Sequence, residues 1–490
     1  MNYRMVCRIT GQIGLVEAAI LIVPFILSAC YRDGMTAAFA ITILALLVFG
    51  LPLTKILKPK TTKIYAREGF VIVALSWIVM SLFGALPGFI SGNIPNYADS
   101  FFETVSGFTT TGATILGLNE EGVGIAIESL PKSLLFWRAF THWLGGMGVL
   151  VFALAILPQA DVHSMHIMRA EVPGPTVGKL VSKTTLTARI LYGIYLALTI
   201  IEAIFLLCGG VDLFDSVTLA FSTAGTGGFA GTSLSVAYYD SVYVEVVITV
   251  FMILFSLNFN LYFLMLTGQF IRAIKSEELL CFAGIVSFSM ISIAINIMPL
   301  YSGNFSTALR YSSFQVASII STAGFATTDF NLWPTFSKIM IVLLMFVGAC
   351  AGSTGGGLKV SRVIILLKTG YRELLRALNP KLVRSVKLEG KPVDKDTVRN
   401  ASGYFVVYIL FLMASVILLS FEGFDLTTTT TAVITCINNV GPGFNVVGPM
   451  GGFSGFSNIG KLFLSFVMLV GRLEIYPMLI MFLPGTWRKR

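Results

Sequence analysis

Thr110-Thr111-Gly112-Ala113, Thr223-Ala224-Gly225-Thr226, Thr322-Ala323-Gly324-Phe325 and Asn439-Val440-Gly441-Pro442 are four versions of one short phrase. Each follows a moderately apolar stretch opened by an acidic or polar residue, and each lies between two long hydrophobic segments. The glycines stand at 112, 225, 324 and 441, at intervals of 113, 99 and 117 residues, which suit one span–loop–span unit plus a linker. Hydrophobic span, short re-entrant stretch, glycine and hydrophobic span, four times over, is the sequence form of a cation pore. Backbone carbonyls in such a pore replace the ion's hydration shell, and glycine lets the backbone take up the conformation this requires. The competing reading is that glycine and threonine pack helices closely, as small residues do in membranes. Four copies at matched places favour the pore.

Working outward, the composition agrees. The 490 residues are 55% hydrophobic and 12% charged, against about 25% charged in soluble domains. This is an all-α integral membrane protein. The first apolar runs, Ile13 to Ala29 and Met35 to Leu53, flank the turn Tyr31-Arg32-Asp33-Gly34 and read as a helical hairpin. Leu27-Ser28-Ala29-Cys30 resembles a lipoprotein cleavage site, but the second run following at once favours a retained hairpin. Later runs lie near 69–91, 134–157, 189–208, 243–267, 279–300, 338–349 with a continuation beyond 358, 402–420 and 459–484. The expected organisation is a hairpin and basic linker (1–66) followed by four repeats, 67–184, 185–274, 275–398 and 399–490, around one pseudo-fourfold pore.

The net charge of +9 gathers in a few loops and reports orientation, not nucleic-acid binding. Lys55, Lys58, Lys60, Lys63 and Arg67 precede the first repeat, and Arg169, Lys179, Lys183 and Arg189 the second. Nine Lys or Arg lie between Lys368 and Arg399, and the chain ends Arg488-Lys489-Arg490. These connections and both termini are expected in the cytoplasm. The glycine phrases then face outward, among Asp99, Glu103, Glu120, Glu121, Glu128, Asp212, Asp215, Asp240, Asp329, Glu422 and Asp425. A negative mouth concentrates cations. A half-helix before each phrase would aim its negative C-terminal end at the ion. Asp99 or Ser100, Asp212, and Asp425 or Thr427 are its expected starts.

Gly348 to Leu358 holds five glycines with Ser353 and Thr354, within what should be a span. Each interior glycine costs a helix about 1 kcal/mol relative to alanine, so this reads as a broken helix with an intramembrane loop. Gly352 to Gly357 has the glycine spacing of a phosphate-binding loop, but Leu358 occupies the lysine position. Arg472 sits inside an apolar span, which marks it as functional unless Glu474 or a carbonyl pairs it for packing. Lys359, Arg362, Lys368, Arg372 and Arg376 suit either anionic lipid or a docked subunit. The six cysteines, without CxxC spacing, read as small buried apolar groups. His163-Ser-Met-His166 lacks further metal ligands. No nucleophile–base pair or acidic dyad points to an enzyme.

With these residues in view, the chain resembles the Trk, Ktr and HKT superfamily of potassium transporters over essentially its whole length, most closely the bacterial TrkH branch. Trp143-Leu144-Gly145-Gly146-Met147-Gly148, Gly352-Ser353-Thr354-Gly355-Gly356-Gly357-Leu358-Lys359 and Gly471-Arg472-Leu473-Glu474 are similar to signatures of its first, third and fourth repeats. The resemblance implies a potassium filter of backbone carbonyls at Thr110, Thr111, Gly112, Thr223, Ala224, Gly225, Thr322, Ala323, Gly324, Asn439, Val440 and Gly441. Glycine at 112 goes with potassium, where serine goes with sodium in the plant branch. A gate of Gly352, Ser353, Thr354, Gly355, Gly356, Gly357 and Lys359 is implied below, with Arg472 facing the pore. The resemblance also implies a homodimer in the bacterial inner membrane and a cytosolic regulatory subunit of nucleotide-binding Rossmann domains. No organic cofactor is expected. The fourth phrase lacks threonine, and His142 stands where glutamine is expected. The alternative function is a sodium- or proton-coupled symporter using Glu202, Glu245 or Glu474.

Overall fold

The computed structural model describes residues 1–57, 65–118, 124–148, 184–382 and 384–487. Lys58, Lys60, Lys63, Glu120, Glu121, His163, His166, Arg169, Lys179, Lys183 and Arg488 to Arg490, named above, lie outside them, as does the end of the 134–157 run.

Long apolar runs become helices because lipid offers the backbone no hydrogen-bond partner. The hairpin pairs Tyr3–Ile20 and its continuation Ile22–Tyr31 with Thr36–Lys55. At its turn Asp33 accepts hydrogen bonds from the Ser28 hydroxyl and the Met35 amide, and from the Ser133 amide of the next unit. Among the described residues, six helices are long and apolar enough to cross a membrane.

One succession of helices then recurs four times. A long helix, a short helix and a second helix are, in turn, Ala66–Gly84, Tyr97–Phe108 and Lys132–Gly146; Thr184–Cys208, Leu213–Gly225 and Val242–Ser256; Glu277–Ile297, Phe305–Ile320 and Thr335–Val347; Lys395–Leu419, Leu426–Asn438 and Asn458–Arg472. The short helices start at Asn96, Asp212, Asn304 and Asp425, whose side chains accept hydrogen bonds from first-turn amides. The first starts earlier than Asp99 or Ser100, because Asn96 is the cap. Asp99 is instead held by Lys461 Nζ at 2.6 Å.

The second helices have 15, 15, 13 and 15 residues. At 1.5 Å per residue they reach only about 20–22 Å, short of the ~30 Å hydrocarbon layer. A break is expected from the sequence only after residue 347. The structure also breaks the 243–267 and 459–484 runs. After Ser256 the chain turns by 89° into Phe259–Leu266, with Asn258 accepting from the Asn260 amide. After Arg472, Glu474 and Ile475 take positive φ (54° and 64°) before Tyr476–Phe482. The cause in both cases is local capping and left-handed backbone, which hydropathy does not register.

The second helix of each set packs on the short helix of the next: Lys132–Gly146 on Leu213–Gly225, Val242–Ser256 on Phe305–Ile320, and Thr335–Val347 on Leu426–Asn438. Asn458–Arg472 packs back on Tyr97–Phe108. The long helices keep residues such as Ile204, Phe288 and Leu410 exposed, as a lipid-facing belt does. Cys30 and Cys208 are exposed too; Cys350 and Cys436 are buried.

Candidate cation pathway

The glycine phrases meet at the centre of this arrangement, and their side chains are almost wholly buried. After each short helix one residue turns left-handed, the next returns, and a glycine turns left-handed again. The pairs are Thr110 and Gly112 (φ 54° and 77°), Thr226 and Gly228 (56° and 76°), Thr322 and Gly324 (62° and 78°), and Asn439 and Gly441 (54° and 98°). Glycine takes such a conformation at low cost, and threonine only under strain. A second regularity fixes the register. The residue between each pair donates its amide to a carbonyl five residues upstream at 2.9 Å: Thr111 to Ser106, Gly227 to Ser222, Ala323 to Ser318, and Val440 to Thr435.

The structure therefore corrects the second phrase. Thr226-Gly227-Gly228 occupies the place shared by Thr110-Thr111-Gly112, Thr322-Ala323-Gly324 and Asn439-Val440-Gly441. Thr223, Ala224 and Gly225 are the last turn of the short helix. Glycine at 225 is needed for another reason: a Cβ there would lie 2.2 Å from the His142 carbonyl oxygen. The likeness of Thr223-Ala224-Gly225 to Thr322-Ala323-Gly324 conceals this shift. The hydroxyl residue four positions before each segment (Ser106, Ser222, Ser318, Thr435) carries the correct register, and so does the shared ending Gly228-Phe229 and Gly324-Phe325.

The four segments touch in a closed cycle. A Cβ on Gly112 would lie 2.1 Å from Gly227 O, one on Gly228 2.0 Å from Ala323 O, one on Gly324 2.3 Å from Val440 O, and one on Gly441 2.7 Å from Thr111 O. Backbone thus meets backbone at all four junctions, and no larger residue fits. At the last junction Asn439 Nδ2 donates to Thr111 Oγ1 at 2.9 Å and to the Met468 carbonyl at 3.1 Å. Asparagine in place of threonine therefore makes a tie between segments.

The glycine-rich loop lies against the third and fourth segments. Thr335–Val347 ends at Gly348, and Val360–Leu378 resumes the helix. The loop's ends lie side by side, with Leu358 and Lys359 amides donating to Phe346 and Val347 carbonyls at 3.1 Å. The Gly356 amide donates to Thr322 Oγ1 at 2.7 Å. A Cβ on Gly355 would be 2.6 Å from Ser321 O, and one on Gly356 2.2 Å from Asn438 O. The Phe259 amide donates to Gly352 O, and the Thr354 hydroxyl to Phe255 O. Ser353 Oγ closes the turn onto Cys350 O at 2.6 Å.

Arg472 ties this loop to the end of the helix Lys132–Gly146. Its guanidinium donates to Thr354 O at 2.9 Å, to Gly146 O at 2.8 Å and to Gly145 O. Of the two partners left open by the sequence, carbonyls rather than Glu474 hold it. Glu474 is paired with Arg362, and the Arg362 guanidinium lies 4.2 Å from the Tyr404 ring centroid. Lys359, buried with a left-handed φ of 75°, donates to Gly355 O.

The family model described as TrkH, a cation transport protein, matches residues 35–488. The chain belongs to the TrkH family. It is similar to the Trk system potassium uptake protein TrkH of Escherichia coli K12, 36% identical over 496 residues with both chains wholly covered. It is also similar to TrkG of that strain, 30% identical with 99% of each chain covered. The crystal structure of the potassium transporter TrkH from Vibrio parahaemolyticus superposes with a TM-score of 0.88 at 33% identity, covering both chains fully. A multi-pass transport protein, not an enzyme, is what family membership and the apolar helices establish.

The acidic residues expected around the glycine phrases are mostly structural partners. Glu103 accepts from Arg138 at 2.9 and 2.6 Å, and from Thr114 and the Ile115 amide. Glu128 accepts from the amide and hydroxyl of Ser233. Asp215 accepts from Tyr239, Asp329 from the Asn331 amide, and Glu422 from Ser457. Of the candidates for coupling, Glu245 is held by Arg310 at 2.5 and 2.6 Å. Glu202 is wholly buried near Thr223, with no well-formed hydrogen bond. One further residue holds the glycine loop without any signal in the sequence. Glu278, on the third long helix, accepts the Ala351 amide at 2.8 Å and the Ser361 amide at 3.2 Å, one at each end of the glycine loop. An acid near a span's start gives no sequence signal that it clasps a loop far along the chain.

Proposed function

We propose that this chain takes up potassium across the bacterial cytoplasmic membrane through a filter of main-chain oxygens, gated by the loop 348–359 and Arg472. The observation that carries this is the closed cycle of four glycine segments, each with two left-handed residues and each touching the next. Such rings of carbonyls replace the water of an alkali cation. Four short helices end at the segments, so their C-terminal partial charges favour a cation there. Relatives named as potassium uptake proteins support the choice of ion. The filter is Thr110-Thr111-Gly112, Thr226-Gly227-Gly228, Thr322-Ala323-Gly324 and Asn439-Val440-Gly441. The four repeats, 67–184, 185–274, 275–398 and 399–490, surround it as a pseudo-fourfold pore, with both termini in the cytoplasm. Potassium is cargo, and no organic cofactor belongs to the reading. A homodimer and a cytosolic nucleotide-binding subunit of Rossmann type complete it, with the basic residues beyond Lys359 facing that subunit or anionic lipid.

The gate follows from the bonds beneath the filter. The loop closes under segments three and four, and Arg472 pins it to the first repeat. Opening requires the Thr354 bond to break.

Rubidium and sodium fluxes into proteoliposomes, with and without Gly112→Ser, test the filter. A serine Cβ meets Gly227 O and must take a left-handed φ, so segments one and two separate and sodium enters. An unchanged rubidium-to-sodium ratio refutes the filter's location. The buried Glu202 carboxyl favours one second reading, symport with sodium or protons. A reversal potential that follows potassium alone argues against that reading; one that moves with pH or sodium supports it.

A further inference from the structure

The middle position of the four filter segments is occupied by Thr111, Gly227, Ala323 and Val440. Three have a side chain to fill the space behind the backbone; Gly227 has none. That space is filled by another residue. A Cβ built on Gly227 would meet His142 Cγ at 2.4 Å, Nδ1 at 2.4 Å and Cδ2 at 2.5 Å, and these three atoms are its nearest neighbours. The imidazole is wholly buried and stacks on Phe229, centroid to centroid at 4.1 Å. The same Phe229 ring has the Arg138 guanidinium 4.1 Å from its centroid, and Arg138 is locked by Glu103. The ring is therefore fixed. Its nitrogens lie beside the Ser106 backbone without a well-formed hydrogen bond, so its contribution is bulk.

The contact continues inward. Gly227 O is the atom that a Cβ on Gly112 would meet, at 2.1 Å, at the first junction of the cycle. Imidazole, Gly227 and Gly112 thus form one line of contacts from the second helix of repeat one to the filter. Buried side chains at packing density transmit displacement, because no void absorbs it. We propose that His142 is a positioning residue for cation selectivity. Its imidazole does for Gly227 what their own side chains do for Thr111, Ala323 and Val440, and it sets how closely the Gly227 carbonyl approaches segment one. This rests on the filter reading above and adds a residue outside the four segments.

The test is reciprocal substitution, read as rubidium uptake and as the rubidium-to-sodium ratio in proteoliposomes. Gly227→Ala alone drives a methyl into the imidazole and lowers rubidium uptake about tenfold or more, equivalent to about 1.4 kcal/mol. His142→Ala alone leaves Gly227 unsupported and lowers the rubidium-to-sodium ratio about tenfold. The double variant, with alanine in the middle position as at Ala323, recovers both uptake and ratio to within about threefold of the unaltered protein. His142→Phe, which fills the same space without nitrogens, keeps the ratio, and it serves if His142→Ala does not fold. The inference is overturned if the double variant performs no better than its worse parent, if Gly227→Ala is harmless, or if His142→Phe loses selectivity. Gly112→Ser in parallel separates the two claims. If it relaxes selectivity while these variants do not behave as stated, His142 alone is misassigned; if it changes nothing, the filter itself is.

Discussion

Among the described residues, replacing Arg472 by alanine removes three hydrogen bonds to main-chain oxygens, those of Thr354, Gly145 and Gly146. Of these, the first joins the guanidinium to the glycine loop; the other two anchor it to the end of the helix Lys132–Gly146. A hydrogen bond to a charged group contributes about 1.5–3 kcal/mol net. In the proposed gate, opening the loop must break that bond, so its loss shifts the closed–open balance by about the same amount. At about 1.4 kcal/mol per factor of ten, the open population rises roughly ten- to hundredfold. Glu474 does not offset the change, because it is held by Arg362. The assay is the initial rate of rubidium uptake into potassium-loaded proteoliposomes at matched protein content. Arg472→Lys divides the effect in two. An ammonium keeps the positive charge but cannot reach three carbonyls in a fork. If tethering dominates, the lysine variant is nearly as leaky as alanine; if charge repulsion dominates, it stays nearly closed. Uptake by Arg472→Ala equal to or below that of the unaltered protein refutes both the tether and the barrier.

Glu278→Ala frees the Ala351 and Ser361 amides at the two ends of the loop, and uptake in the same assay should rise severalfold, while a stable, unaltered flux counts against the clasp. Glu103→Ala leaves the buried Arg138 guanidinium without its carboxylate, a change that typically costs about 3–5 kcal/mol and should lower the midpoint of thermal unfolding in detergent. Asp425→Ala removes the cap of the fourth short helix, worth about 0.5–2 kcal/mol. The Thr428 hydroxyl and amide, with Asn445 and the Thr427 amide, hold the Asp425 carboxyl below its usual range. Its ionised form is thus favoured by folding. That contribution is complete above about pH 4, the ordinary aspartate value, and is lost as pH falls through the lowered pKa. The stability gap between Asp425→Ala and the unaltered protein should therefore be constant from neutral pH down to about 4 and shrink below it; a gap that widens on acidification contradicts the assignment.

Much of this molecule can be read from its residues because the controlling interactions are local. Apolar length makes helices in lipid wherever the chain lies. Asp212 and Asp425 start short helices through amides two or three residues away. Five glycines between 348 and 358 break a helix unaided. Tertiary structure decided what depends on distant partners. The second glycine segment lies at Thr226-Gly227-Gly228, where the Gly227 amide meets the Ser222 carbonyl and Gly228 packs against the neighbouring Ala323 oxygen. Arg472 finds Gly145 and Gly146 some 327 and 326 residues away, and Asn439 finds Thr111 at a separation of 328. Hydropathy and turn chemistry act over a few residues along the chain, whereas the cycle of glycine segments is built where four remote stretches meet through space.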